Sequence, residues 1–402
     1  MALNYMALAV PLFLLLIGIE YWVSKRLGRQ LFNFNSSIAN MNVGVAERLI
    51  DMFTAGSFFF FYDYLQKHYG LFEIRPSLPV WMALILATDF VWYWYHRMGH
   101  KINLFWGFHV VHHTSEEFNY TAGTRITIFQ AVVRTAFWSV LPLIGFPAPM
   151  ITTMLTVHGL YPFFTHTQVV GKLGILEYIL VTPSHHRVHH ASNEAYLDKN
   201  FGDMFIIWDK LFGTFAEEKE EPVYGLTKQL DSYSFLWQHF HFLVEIWYSA
   251  QQQKGIVAKL KVIFGSPEDF DPSVRRIVEK RFLSKNKVRA RSQKFRRYVL
   301  VQFTITVITL FFLLLFEHQE ETFLQVMAAL VIFVTLINCG AILEQRRWVF
   351  YLEFARGALI FITAYHYFPH PTLLFLIWTI VIGGVLYFST LQKQYLQTIY
   401  GR

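Results

Sequence analysis

Histidine is the residue through which this chain can do chemistry. It has 17 histidines, and eleven fall between residues 96 and 190. They are grouped by spacing. His96 and His100 form H-x-x-x-H, while His109, His112 and His113 form H-x-x-H-H. His186, His189 and His190 repeat H-x-x-H-H, with His185 just before them. Residues three and four apart share a helix face, so each box can aim its imidazoles toward one side, at one metal or bridging toward two. Neutral imidazole is the commonest metal ligand at physiological pH. One such pair is weak evidence, but three boxes within a hundred residues point to a metal centre. His166 is a further candidate ligand. His158 and His185 are candidates for a ligand or for a hydrogen bond behind one. His68, His239, His241, His318, His366 and His370 read as surface or interfacial residues.

The donor set limits the metal. Imidazole suits zinc, copper, iron and nickel alike, but eight or more nitrogens are too many for one tetrahedral zinc. The count asks for two metals. The single cysteine, Cys339, sits in an apolar stretch and allows neither an intramolecular disulfide nor a thiolate site. The boxes hold no carboxylate pair and the chain shows no serine-nucleophile motif, so oxygen activation by two irons fits better than hydrolysis. Asp89, seven residues before His96 on the same helix face, is expected to orient His96 or His100 from behind. Glu116 and Asn119, close after the second box, are candidates for the same outer role or for solvated loop.

The elements that must carry these residues are membrane helices. The chain is 54% hydrophobic and 16% charged over 402 residues, against about 45–50% and about 25% in soluble domains. A span needs about 20 apolar residues. Candidates lie at 3–23, 43–63, 79–97, 126–146, 148–166, 298–316, 323–341, 349–367 and 371–390, the fourth and fifth broken by Pro147 and Pro149. Lys25, Arg26 and Arg29 after the first span place that side in the cytoplasm. Alternation then puts Arg97, Lys101, Arg346 and Arg347 inside and the acidic loop Glu317–Glu321 outside. The histidine boxes fall on the cytoplasmic side. The expected fold is therefore all-α, a polytopic membrane helical bundle with a cytoplasm-facing, histidine-ligated di-metal site. Its parts are N-terminal spans (1–78), the histidine-box region (79–230), an interfacial and basic juxtamembrane segment (231–297) and C-terminal spans (298–402). The basic run at 275–297, including Lys285, Lys287, Arg289 and Arg291, reads as an orienting and anionic-lipid signal. Nucleic acid is a poor fit for a juxtamembrane segment. Residues 200–215 read as an amphipathic helix against the membrane or capping the metal region.

At the boxes the sequence resembles the fatty acid hydroxylase and sterol desaturase superfamily of membrane di-iron enzymes. The residues are DFVWYWYHRMGH (89–100), HVVHHTSEEFN (109–119), TPSHHRVHH (182–190) and DKNFGDMFIIWDKLFGTF (198–215). Within it, VYGLT (223–227) and LEQRRWVFYLEFAR (343–356) are most similar to the alkylglycerol monooxygenases. The resemblance implies hydroxylation of the ether-adjacent carbon of an alkylglycerol. The product collapses to fatty aldehyde and glycerol. It also implies two irons, O2, a lipid substrate from the bilayer and an electron donor, tetrahydrobiopterin in animal members. One position departs: Lys101 directly follows the first box where the animal enzymes carry glutamate. Trp92, Tyr93, Trp94 and Trp106 are candidates to line the lipid slot. The competing substrates are a sterol, a carotenoid or a fatty acyl chain, acted on by a hydroxylase or desaturase. A metal transporter or a lipid-sensing scaffold is the non-enzymatic alternative. Localisation is an integral, multi-pass membrane protein, in a bacterial inner membrane or the endoplasmic reticulum.

Overall fold

The computed structural model describes residues 3–283 and 293–401. Lys285, Lys287, Arg289 and Arg291 of the basic run lie outside them. Among the described residues every regular element is helical, and extended pairing is limited to isolated bridges at Leu180–Phe205 and Ala191–Tyr224. The chain forms two compact units, one of Leu14–Asp231 with Trp237–Ser284, the other of Met1–Phe13, Ser232–Leu236 and Lys285–Arg402.

The first unit carries all three boxes. Its helices run α1 (Ala9–Arg26, of which the part from Leu14 on belongs to this unit), α2 (Phe34–Tyr69), α3 (Leu78–Lys101), α4 (Asn103–His113), α5 (Tyr120–Gly123), α6 (Gln130–Trp138), α7 (Val140–Ile144), α8 (Ala148–Thr165), α9 (Pro183–His189) and α10 (Ile207–Phe212). They continue as α11 (Phe235–Gln251, in this unit from Trp237 on), α12 (Ile256–Phe264) and α13 (Ser273–Phe282). Proline in the first turn starts α3, α8 and α9, where its missing N–H costs nothing. α3 packs on α4, α6 and α8 around a core of Leu84, Trp92, Tyr95, Trp138, Ile151 and Leu155. α7 ends at Gly145 with φ +124°, where an added Cβ would lie 2.0 Å from the Phe72 carbonyl oxygen. Gly145→Ala is therefore expected to cost about 1–3 kcal/mol or more, read as a lower unfolding temperature in detergent.

In the second unit α14 (Gln293–Leu315), α15 (Thr322–Leu343) and α16 (Val349–Tyr367) pack in sequence, followed by α17 (Pro371–Leu386) and α18 (Phe388–Tyr400). Glu353 on α16 accepts from Tyr298 (2.5 Å), Tyr395 (2.7 Å) and Asn338 (2.8 Å) and pairs with Arg356. Polar groups inside such a bundle are costly unless they satisfy one another, as these do. An apolar cavity of about 660 Å³ lies between α16 and α17 and is remote in sequence from the boxes.

The span reading needs correction. Among the described residues three helices are long and apolar enough to cross a membrane, Tyr5–Arg26, Lys294–Leu315 and Thr322–Leu343. A fourth would be α17 with α18, which meet at an 82° bend. The other candidates differ for visible reasons. The 43–63 stretch is part of a 36-residue helix whose first half buries Asn35, Asn40, Asn42 and Glu47. The 79–97 stretch carries buried Asp89 and His96, and 126–146 is split between α6 and α7. Residues 200–215 are not one amphipathic helix. Only Ile207–Phe212 is helical there, and Asp203 and Asp209 are buried rather than solvated. His239 and His241 are likewise buried on α11 and not at a surface.

Candidate metal centre

Four helix segments deliver the imidazoles. α3 ends on His96 and His100, α4 carries His109, His112 and His113, α8 ends at His166, and α9 with its cap carries His186, His189 and His190. The sequence folds α9 locally through a capping box, in which His185 Nδ1 accepts from the Thr182 backbone N–H at 3.3 Å. His185 is thus spent on the helix start and stands outside the cage.

The nine imidazoles fall into two groups. One is His96, His100, His109, His113 and His189, the other His112, His166, His186 and His190, with one nitrogen from each lying within 4.8 Å of the rest of its group. The groups adjoin, with the rings of His113 and His190 stacked at 4.4 Å. The helix period explains the partition. His96/His100, His109/His113 and His186/His190 are each four apart and stay together. His112 and His113 are adjacent, turn away from each other and enter different groups, as do His189 and His190.

Backbone carbonyls fix which nitrogen faces inward. His96 Nδ1 donates to Phe201 O (2.9 Å), His112 Nδ1 to Arg125 O (2.8 Å), His166 Nδ1 to Pro162 O (2.6 Å) and His189 Nδ1 to Lys199 O (3.0 Å). A carbonyl only accepts, so each neutral ring carries its proton on Nδ1 and presents a bare Nε2 lone pair to the centre. His166 Nε2 lies 3.0 Å from His186 Nε2 and 3.1 Å from His190 Nε2. The buried Nε2 atoms of His96 and His189 have no protein partner. Converging lone pairs repel unless a cation lies among them, so this donor set fits metal ions. Burial pushes the imidazoles of His113, His186, His189 and His190 well below their ordinary range and that of His112 down to about 4. All five are neutral, the ligand form, at physiological pH.

That depression has a stability consequence for protein stripped of metal. Unfolded histidines titrate near about 6.5, so below that pH the unfolded chain binds protons that the native cage refuses. The cage's own contribution to the stability of the stripped protein is expected to be constant above that pH and to fall steadily as pH drops from there toward about 4. Thermal unfolding across that range checks it.

The other candidates sit elsewhere. Asp89 reaches neither His96 nor His100. It accepts from Met204 N (2.8 Å), Phe205 N (3.2 Å) and Trp208 Nε1 (2.8 Å) and lies 3.6 Å from His158 Nδ1. His158 joins Asp203 at 2.6 Å in this separate buried trio. Asn119 caps α5, accepting from Thr121 N and donating to Leu31 O, and Glu116 is exposed. Trp106 packs against His100 and His113, while Trp92 stacks on His158 and Tyr93 bonds Thr214. Trp94 packs against Phe212. Lys101 binds Asp198 (2.6 Å) and Glu268 (2.5 Å), and Asp198 in turn lies 3.4 Å from His100 Nδ1. Sequence reading missed Asp198, Asp209 and Arg125. Asp209 stands inside the 200–215 stretch, where charge among apolar residues reads as a solvated helix face.

The class follows from the stretch that carries the cage: residues 81–214 match the fatty acid hydroxylase family. Over longer spans the chain is 33% identical across 388 residues to the alkylglycerol monooxygenase of Homo sapiens, covering 90% of this chain and 83% of that one. It is 30% identical across 401 residues to that of Danio rerio, covering 96% and 89%. The match to that of Xenopus tropicalis is 35% across 266 residues, covering 66% and 59%. The chain belongs to the alkylglycerol monooxygenase family. No solved structure matches it.

Proposed function

We propose that the protein is a membrane di-iron monooxygenase that hydroxylates the ether-adjacent carbon of alkylglycerols and releases fatty aldehyde. The observation that carries the metal part is the convergence of nine imidazoles in two adjoining groups, each holding two rings whose Nδ1–carbonyl bonds leave a bare Nε2. His96, His100, His109, His113 and His189 would hold one iron, and His112, His166, His186 and His190 the other. Bound there, the irons would supply O2 activation and insertion into a C–H bond. The ether-lipid part is supported by the family, and a membrane setting by helices long and apolar enough to span one.

The chain's own part is to orient and to exclude water. Carbonyls of Arg125, Pro162, Lys199 and Phe201 hold four rings in one tautomer. Phe201 packs against His96, His100 and His189, and Phe118 stacks on His166 at 5.3 Å, closing the cage with apolar walls. The lysine and arginine pattern supports a cytoplasmic opening, where a soluble donor such as tetrahydrobiopterin would deliver electrons. Lys101, which stands where the animal enzymes carry glutamate, is paired with Asp198 and Glu268.

Gly123 offers a test of one site. A Cβ there would meet His166 Cβ at 3.0 Å and Cγ at 3.1 Å. Gly123→Val is expected to push His166 out and to lower iron content from two per chain toward one. The activity test is turnover of an alkylglycerol with O2 and a tetrahydropterin. Long-chain aldehyde is the expected product. A hydroxylated sterol or fatty acid in its place would move the protein to the competing substrate class.

A further inference from the structure

The two histidine groups are oriented from different parts of the chain. In the four-histidine group, His112 and His166 donate to Arg125 O and Pro162 O. In the five-histidine group, His96 donates to Phe201 O, His189 donates to Lys199 O, and His100 Nδ1 faces Asp198 Oδ1 at 3.4 Å. All three acceptors come from the strip 198–201, which has no regular structure. Two of its residues, Asp198 (φ +56°) and Asn200 (φ +55°), are in the left-handed region, which a non-glycine residue enters at a cost. Such a strip keeps its carbonyls aimed only if something else fixes it.

Asp209 does so. It is fully buried, and Oδ1 accepts from Phe201 N (2.7 Å) and Thr214 Oγ1 (2.7 Å), while Oδ2 accepts from Gly202 N (2.8 Å). The carboxylate therefore grips the peptide next to the carbonyl that orients His96. Asp89 anchors the far side of the same loop through Met204, Phe205 and Trp208, tying it back to the helix that carries His96. No hydrogen bond of Asp209 reaches an orienting group of the four-histidine site among the described residues.

We propose that Asp209 is a positioning residue for the five-histidine site alone, setting its metal affinity through the 198–202 strip independently of the other site. The proposal rests on the two-iron reading above. Asp209→Asn keeps the shape but turns one acceptor into an N–H donor facing another N–H. Outer hydrogen-bond partners typically contribute about 10–100-fold to metal affinity, and a loss of that size is expected at one site only.

The test is iron per chain in the full-length protein across a titration of free iron, for the wild type, Asp209→Asn, His112→Ala and the double variant. The expected result is two, about one, about one, and near zero at limiting iron. Asp209→Asn binding two irons with wild-type affinity would overturn the proposal. So would parallel loss of both irons, or a double variant that keeps the iron of His112→Ala. If Asp209→Asn does not fold, Asp198→Asn, at the rim of the same strip, should show the same one-site weakening through His100, and wild-type binding there overturns the proposal. A wild type that binds no pair of irons would sink the di-iron reading itself.

Discussion

His112→Ala and His189→Ala are each expected to lower turnover by well over 100-fold, beyond the roughly 10–100-fold that an outer partner of a ligand contributes. Each should also remove about one iron, and from different sites, because His112 sits with His166, His186 and His190, whereas His189 sits with His96, His100, His109 and His113. Truncation removes a donor for which the remaining rings supply no substitute, and His96 and His166 among them are pinned by carbonyls on the far side. Metal analysis of the purified variants together with aldehyde release measures both effects. Unchanged iron in both variants would refute the ligand assignment.

Arg125→Ala is expected to be the most damaging change away from the imidazoles. The side chain is 1% exposed and makes no ion pair among the described residues. Its guanidinium stays charged and spends its donors on neutral acceptors: Val111 O (2.8 Å), Asn40 Oδ1 (2.8 Å), Gln238 Oε1 (3.1 Å) and Thr114 Oγ1. It thereby joins α2 and α11 to the end of α4, and its own carbonyl orients His112. Removal strands buried acceptors and opens a cavity, at a cost on the order of 3–5 kcal/mol. Arg125→Lys should recover only part of this, because an ammonium lacks the planar fork. Unfolding temperature and yield of monodisperse protein in detergent read the loss; wild-type stability in Arg125→Ala would contradict the assigned role.

The histidine cage was legible because helical spacing is a local rule. Residues four apart share a face wherever the helix lies, so the pairs at 96/100, 109/113 and 186/190 could be read without a fold. The rule does not say which face meets which metal, and so the split of His112 from His113 needed the tertiary structure. The partners of Asp89 were hidden for a similar reason. Its acceptor bonds go to residues 204, 205 and 208, more than a hundred positions away. Asp203 and Asp209 were misread because their charge, spaced among apolar residues, imitates a solvated helix face. In the structure those carboxylates are buried and serve as acceptors for a ring nitrogen and for loop N–H groups. Span reading was blurred by charge inside apolar stretches: 43–63 carries Glu47, Arg48, Asp51 and Asp63, and 79–97 carries Asp89 and His96, so neither is among the helices apolar enough to cross.

Mössbauer spectroscopy of the full-length protein loaded with isotopically enriched iron tests the central claim most directly. Two irons per chain in two distinguishable environments of equal weight are predicted, matching five imidazoles at one position and four at the other. A single iron environment, or a fully active protein that carries zinc and no iron, would contradict it.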